Sequence, residues 1–253
     1  MNDTEFVVRL VGIVIAVLVY YGLVVKHVGD WLAHLLLERV NDHLALARRY
    51  SVDELDSMIR LVLAGMMQLM FCVALIAISG MSAGTLLRDS FQPILLVYGV
   101  LLGVGEAALG SFLGHIGMRT AMLVAPNHVP SQIGEWLVAS KGGWMRLYLR
   151  TAEAAPAPLV LLSTVLYVSV EEIVFRGVLL SFSAGVGAVV ACTLSVALFV
   201  LVQIFHMPSW QSAMFPVLGA LLVGLVHAPL YLVVPNLLPL IVAHAVLFLM
   251  AIL

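Results

Sequence analysis

Residues 166–177 form an apolar stretch that carries three charged side chains. They read Leu166-Tyr167-Val168-Ser169-Val170-Glu171-Glu172-Ile173-Val174-Phe175-Arg176-Gly177. A charged side chain at the centre of a lipid bilayer costs at least about 2.5–3.5 kcal/mol on insertion scales, so such residues are rarely present without a role. The stretch therefore predicts a membrane-spanning helix that carries a functional site.

The composition of the whole chain indicates a membrane protein. Of its 253 residues, 63% are hydrophobic and 10% are charged, whereas a soluble domain has roughly 45–50% apolar and about 25% charged residues. One globular core cannot bury such an excess. The net charge of -2 gives no indication of nucleic-acid binding. We predict an all-α, polytopic transmembrane helix bundle in contact with the lipid bilayer.

Seven apolar segments are long enough to cross a bilayer, which requires roughly 20 residues per helix. They lie at about residues 6–25, 59–79, 93–116, 158–182, 185–205, 213–234 and 237–253. Two polar stretches, residues 31–60 and 119–157, carry Arg and Lys among apolar residues. These stretches predict one or two amphipathic helices on the membrane surface. A solvated helical hairpin is the alternative for the first stretch.

The distribution of basic residues predicts the orientation of the chain. All 12 Lys and Arg residues lie at or before Arg176, and most of them fall in the two polar stretches. Because cytoplasmic loops carry an excess of Lys and Arg, we expect both stretches in the cytoplasm. The N-terminus is then outside and the C-terminus is cytoplasmic.

The charged stretch contains two carboxylates with different surroundings. Glu172 and Arg176 are four residues apart, which places them on one helix face in the order that favours an ion pair. Glu171 is rotated by about 100° from Glu172 and can point elsewhere into the bundle. A carboxylate in a low-dielectric cavity can take a proton from water near neutral pH. Glu171 is therefore the candidate base, and a purely architectural ion pair between helices is the alternative.

Three histidines lie in the final part of the chain, which has no charged side chain after Arg176. His206 ends the fifth apolar segment, His227 lies within the sixth and His244 lies within the seventh. Neutral imidazoles can bind a metal ion or form hydrogen bonds to water and to a developing oxyanion. Two histidines with a glutamate on a third helix suit the hydrolysis of a peptide bond in the membrane. We select His206 and His244, and we expect a packing role for His227.

Glu106 is a second acidic residue inside an apolar segment. It lies in the sequence Gly103-Val104-Gly105-Glu106-Ala107-Ala108-Leu109-Gly110. Small neighbours of this kind allow helices to approach closely. We expect Glu106 to form a bond across to Arg176 or to a histidine, in a supporting role.

These motifs resemble those of a known family. Glu171-Glu172-x-x-x-Arg176 resembles the E-E-x-x-x-R signature of the CAAX protease and bacteriocin-processing family of intramembrane proteases. Phe175 and Gly177 fit its bacterial form, E-E-x-x-F-R-G. This form points to the plasma membrane of a bacterium.

The two later motifs of the family are histidine motifs, F-x-x-x-H and H-x-x-x-N or H-x-x-x-D. His206 with the following Met207-Pro208 resembles the second motif and its continuation, and the residues before His244 resemble the lead-in to the third. The resemblance covers about residues 158–253. The first 150 residues resemble no family.

The resemblance implies roles for particular side chains. Glu171 would activate water, and His206 and His244 would orient that water and stabilise the oxyanion, or would ligate a metal ion such as zinc. Glu172 and Arg176 would support the site. The substrate would be a membrane-associated or prenylated protein or peptide.

The resemblance also implies an organisation within one compact membrane domain. Residues 158–253 would form a catalytic core of four spans. Residues 1–157 would form N-terminal spans with basic surface loops, and no role is assigned to them.

The sequence departs from the family pattern at two positions. Val202, not Phe, lies four residues before His206. If Phe199 is aligned with the motif instead, Gln203 takes the histidine position, and Gln203 could then join the site. Phe248 stands four residues after His244, where the family has Asn or Asp.

Three functions fit these features. The first is an intramembrane endopeptidase that uses water activated by glutamate and assisted by histidines. The second is a catalytically silent relative that acts as a membrane scaffold or chaperone, which the Phe248 departure motivates. The third is a proton-coupled transporter that uses the same buried groups as a relay.

Overall fold

The computed structural model describes residues 2–41, 48–86, 91–140 and 142–252, and every regular element in these ranges is a helix. We number the helices α1 (Asp3–Val40), α2 (Val52–Ser79), α3 (Ala83–Leu86), α4 (Pro93–Val124), α5 (Ile133–Ser140), α6 (Gly143–Ala154), α7 (Ala157–Val186), α8 (Ala188–Phe205), α9 (Trp210–Val233) and α10 (Leu238–Ile252).

Six of these helices are long and apolar enough to cross a membrane: α1, α2, α4, α7, α8 and α9. The seventh expected segment forms α10, which is a shorter apolar helix of 15 residues. The prediction of a polytopic transmembrane helix bundle is confirmed, with six long spans and one shorter helix in the described residues. The chain is thus an integral membrane protein.

The second span begins earlier than its apolar residues predict. Helix α2 starts at Val52 because Ser51 and Glu54 form a capping box. The Glu54 amide donates to Ser51 Oγ over 3.3 Å, and the Ser51 amide donates to the Glu54 carboxylate over 2.6 Å. The last residue of α2 is followed by Gly80, whose φ of 71° closes the helix in the left-handed conformation.

The first polar stretch is divided between two helices. Its described part forms the end of α1 and the start of α2, and residues 42–47 lie outside the described residues. Arg60 of α2 pairs with Asp30 of α1 and with Asp56. This pairing corresponds to the helical-hairpin alternative. The second polar stretch contains the two short helices α5 and α6.

The N-terminal helices pack against α7 and α8 through an apolar core. Tyr21 of α1 lies beside Phe175 of α7, with ring centroids 6.0 Å apart, and Phe175 lies 5.0 Å from Phe199 of α8. Cys72 and Leu75 of α2 are buried in the same cluster. This packing fixes α7, the helix that carries the charged stretch, between the N-terminal helices and the helices that follow it.

Helices α4 and α10 approach so closely that two glycines of α4 have no space for a side chain. A Cβ atom added at Gly103 would lie 2.4 Å from the carbonyl oxygen of Ala243 and 2.8 Å from the Cβ of Val246. Gly99, one turn earlier, meets Val242 at 2.6 Å. Small residues spaced by four allow this backbone approach in membranes. The contact places Glu106 of α4 near the C-terminal helices.

We expect Gly103→Ala to destabilise the protein by about 1–3 kcal/mol, because the added methyl group overpacks the interface between α4 and α10. Gly105→Ala is the matched control, since no atom lies within 4 Å of its added Cβ. It should stay within about 1 kcal/mol of the original stability. Thermal unfolding of the purified proteins in detergent measures both changes. Equal stability of the two variants would contradict the close approach.

Candidate active site

Helix α7 brings the three charged side chains of the motif into the protein interior. Glu171, Glu172 and Arg176 are each at most 2% exposed. The backbone of α7 changes from α-helical to π-helical directly after Glu172, over Ile173–Leu180. Wider turns of this kind often occur at functional sites. Arg176 lies within the widened segment.

Glu172 contacts basic side chains from three helices. Its Oε1 accepts a hydrogen bond of 2.8 Å from Nδ1 of His244 on α10. Its Oε2 lies 3.2 Å from Nδ1 of His227 on α9 and 3.4 Å from Nε of Arg176. The last two are ion-pair distances without hydrogen-bond alignment. The pair predicted between Glu172 and Arg176 is thus formed within a larger cluster.

Arg176 is buried between the Glu172 carboxylate and an aromatic ring. Its guanidinium carbon lies 4.4 Å from the centroid of the Phe199 ring, which is a favourable cation–π geometry. The rings of Phe199 and His244 also pack edge to face, with their centroids 5.8 Å apart. Phe199 therefore contacts both the cation of the motif and the histidine of α10.

Glu171 points away from this cluster and lines a cavity. Its Oε2 lies 3.8 Å from Nε2 of His244, which is too long for a direct hydrogen bond. Its Oε1 is buried and has no hydrogen-bond partner among the described residues. The sequence predicted that the two carboxylates would face different surroundings, and the structure places them so.

The cavity has a volume of about 480 Å³ and lies between α4, α6, α7, α8, α9 and α10. Its polar lining comes from Glu171, Gln203, His244, Ser111 and His115. The rest of its wall is apolar, and includes Phe199, Phe215, Phe248, Met118, Met145 and Met250. An apolar cavity with a few convergent polar groups is typical of a small-molecule or substrate site.

Gln203 and His206 occupy different environments at the end of α8. Gln203 lines the cavity and lies close enough to interact with Glu171. His206 follows the last residue of α8 and is not among the cavity-lining residues. Its Nδ1 donates to the carbonyl oxygen of Val202 over 2.9 Å, and burial lowers the pKa of its imidazole. A lowered pKa favours the neutral ring.

His227 and Glu106 form a contact that the sequence reasoning did not assign. Nε2 of His227 lies 3.1 Å from Oε1 of Glu106, and His227 is fully buried. Glu106 was expected to reach a histidine, but His227 was expected only to pack. The signal in the sequence was a histidine and a glutamate in two apolar helices, and its meaning depended on how those helices are rotated.

The donor geometry gives no support to a zinc ion at this site. In the part of the chain that the structure describes, no group of three or more His, Cys, Asp and Glu side chains is arranged to hold a metal ion. His206, one of the two implied ligands, does not line the cavity that His244 lines. The zinc ion stays a prediction.

We expect Arg176→Met to lower the free energy of unfolding by about 3–5 kcal/mol, because it removes one partner of a buried ion pair. The matched control is Arg9→Met, which breaks an exposed pair of the same spacing between Arg9 and Glu5. That change should cost about 0–1 kcal/mol. Denaturant titration in detergent measures both losses, and a loss at Arg176 no larger than at Arg9 would contradict the buried pair.

The chain was compared with known protein families, curated proteins and solved structures. A family model described as type II CAAX prenyl endopeptidase Rce1-like matches residues 153–250. This region begins near the end of α6 and contains α7, α8, α9 and most of α10. It includes Glu171, Glu172, Arg176 and His244, whereas Glu106 lies outside it. No curated protein and no solved structure gives a significant match.

Proposed function

Because residues 153–250 match a family model described as type II CAAX prenyl endopeptidase Rce1-like, we propose that this membrane protein is an intramembrane endopeptidase. Its substrate is a membrane-associated or prenylated protein or peptide, and Glu171 activates the water that attacks the peptide bond. One observation carries this proposal. Glu171 and His244 face each other over 3.8 Å at the wall of an apolar cavity.

The geometry supports a division of roles between Glu172 and His244. His244 donates its Nδ1–H to Glu172, so in the neutral ring the lone pair of Nε2 is directed towards Glu171 and the cavity. A buried carboxylate that fixes the tautomer and orientation of a histidine is a common arrangement in hydrolytic sites. Nε2 can then accept a hydrogen bond from a water molecule that also contacts Glu171.

The reaction follows from these positions. Glu171 takes one proton from water, and the remaining hydroxide oxygen bonds to the carbonyl carbon of the substrate. The amide of Gln203, on the same cavity wall, donates to the oxyanion that develops. The carbon–nitrogen bond then breaks as Glu171 returns its proton to the leaving amine. The products are a carboxylic acid and an amine, and Glu171 is restored as a carboxylate.

The cavity suits a substrate that is partly apolar. Most of the residues in its wall are apolar, among them three phenylalanines and three methionines, and Glu171 lies close to both His244 and Gln203. A lipid-modified or membrane-embedded peptide would bury apolar surface there. This burial would favour binding by about 25 cal/mol for each Å² removed from water. The polar groups would meet only the peptide bond.

A non-catalytic binding function is the second candidate. Phe248 differs from the third family motif, and Gln203 differs from the second if Phe199 is aligned with it; both residues line the cavity. Phe248 packs edge-on against Tyr148 of α6, with ring centroids 4.7 Å apart. An apolar ring at this position favours binding of a membrane protein without cleavage, as a scaffold or chaperone would bind it.

We expect Glu171→Gln to lower the rate of peptide cleavage by about 10²–10⁴-fold, because the variant has no base to take the proton from water. The assay uses purified protein in proteoliposomes and a fluorescence-quenched peptide with a farnesylated C-terminal CAAX sequence. Glu153→Gln, the same change at an exposed position, is the control and should cleave normally. Equal rates for the two variants would reject Glu171 as the base and favour the binding function.

Two histidine variants separate the roles of His244 and His206. We expect His244→Gln to lower kcat by at least about 10²-fold, since the water loses its orienting group. His206→Gln should leave kcat close to its original value, because the His206 ring is turned to the Val202 carbonyl. The same cleavage assay measures both. A comparable loss in His206→Gln would place His206 in the reacting site.

A further inference from the structure

His227 lies between carboxylates from two other helices. Its Nε2 is 3.1 Å from Oε1 of Glu106 on α4, and its Nδ1 is 3.2 Å from Oε2 of Glu172 on α7. The side chains of His227 and Glu172 are 0% exposed and that of Glu106 is 3% exposed. Each ring nitrogen therefore lies at ion-pair distance from a carboxylate oxygen, without hydrogen-bond alignment, in the interior of a membrane protein.

This arrangement requires a proton that a neutral histidine does not supply. A neutral imidazole has one N–H and can donate to one carboxylate, so its second nitrogen would direct a lone pair at the other. An imidazolium has an N–H at both nitrogens and removes this repulsion. Two carboxylates and a neutral imidazole contain one ring proton between them. The side chains of Glu106, His227 and Glu172 must therefore hold one proton more than this.

The charges around the three side chains also favour an additional proton. Arg176 is the one permanent cation among the described groups that face Glu172, while Glu171 adds a third carboxylate on the same helix. His244 contacts Glu172 from α10. Buried unpaired carboxylates are costly in a membrane, so a proton at His227 offsets part of the negative charge that Arg176 alone does not offset.

Glu172 transmits this contact to the reacting side of the site. Its Oε2 is held by His227 and Arg176, while its Oε1 holds Nδ1 of His244 at 2.8 Å. The orientation of the carboxylate is thus fixed at both oxygens. If the contact at Oε2 is lost, the carboxylate can rotate and the His244 ring loses its fixed orientation towards Glu171.

We propose that Glu106 and His227 are positioning residues that hold Glu172, and through it His244, by a proton shared between the three side chains. Helix α4, which lies outside the matched residues 153–250, then completes the site. The proton sharing stands on geometry alone. The effect on cleavage rests on the proposed endopeptidase function.

The first test measures the protonation of the histidine rings directly. Protein labelled with ¹⁵N at histidine is studied by NMR in lipid nanodiscs at neutral pH, and the signal of His227 is assigned from its loss in His227→Gln. We expect both ring nitrogens of His227 to carry protons, or one nitrogen to show the intermediate shift of a shared proton. Glu106→Gln, which keeps shape and removes charge, should change the signals of both His227 and His244. His206, bonded to a backbone carbonyl, is the internal control and should not change.

The second test reads cleavage of the farnesylated peptide. We expect Glu106→Gln to lower kcat by about 10–100-fold with little change in KM, as for groups that orient a reacting histidine without touching substrate. Glu106→Asp keeps the charge and should recover part of the rate. Glu153→Gln is the control for the chemical change.

The outcomes distinguish this inference from the proposed function. A His227 ring with one firmly bound proton, unchanged by Glu106→Gln, would overturn the inference whatever the cleavage data show. An unchanged His244 signal in Glu106→Gln, with unchanged kcat, would also overturn it. If the original protein does not cleave the peptide, the endopeptidase proposal fails while the NMR result still decides the proton sharing. If Glu106→Gln does not fold, the His227 signals of the original protein still decide whether both ring nitrogens carry protons.

Discussion

The buried carboxylate of Glu172 is the contact on which the rest of the site depends. It meets Arg176 within its own helix, His227 from α9 and His244 from α10. A carboxylate at this depth is stable only when cations or hydrogen-bond donors surround it. The need to satisfy one charge therefore brings three helices to fixed rotations around a single point. Glu171, the adjacent residue, is turned into the cavity by the same constraint.

Much of this organisation could be predicted from the sequence because it depends on local periodicity. Apolar segments of sufficient length predicted the spans, and the spacing of four between Glu172 and Arg176 predicted their pair. The different directions of Glu171 and Glu172 follow from one helical step. The predicted start of α2, at about residue 59, lies several residues after its observed start at Val52. A capping box begins the helix in polar residues that hydropathy does not detect.

The contacts between helices could not be predicted in this way. Whether His227 or His206 approaches the motif depends on the rotation of α8 and α9 about their axes. The sequence of a helix that is apolar on all faces does not indicate this rotation. Phe199 and Gln203 are four residues apart and share the cavity face of α8. His206 follows the end of that helix, where its ring bonds to the backbone instead. Glu106 reaches His227 because α4 packs closely against α9, where Gly114 of α4 meets the ring of Phe215, a tertiary effect of a residue with no side chain.

The cavity is lined by residues from two parts of the chain. Glu171, Gln203 and His244 line it from α7, α8 and α10, within the matched region. The lining residues outside that region are Ala107, Gly110, Ser111, His115 and Met118 of α4 and Met145 of α6. Substitutions in α4 and α6 can therefore reshape the cavity without altering Glu171 or His244. For the proposed endopeptidase, substrate preference could then diverge through the N-terminal part of the chain while the groups proposed for the chemistry stay the same in the C-terminal part.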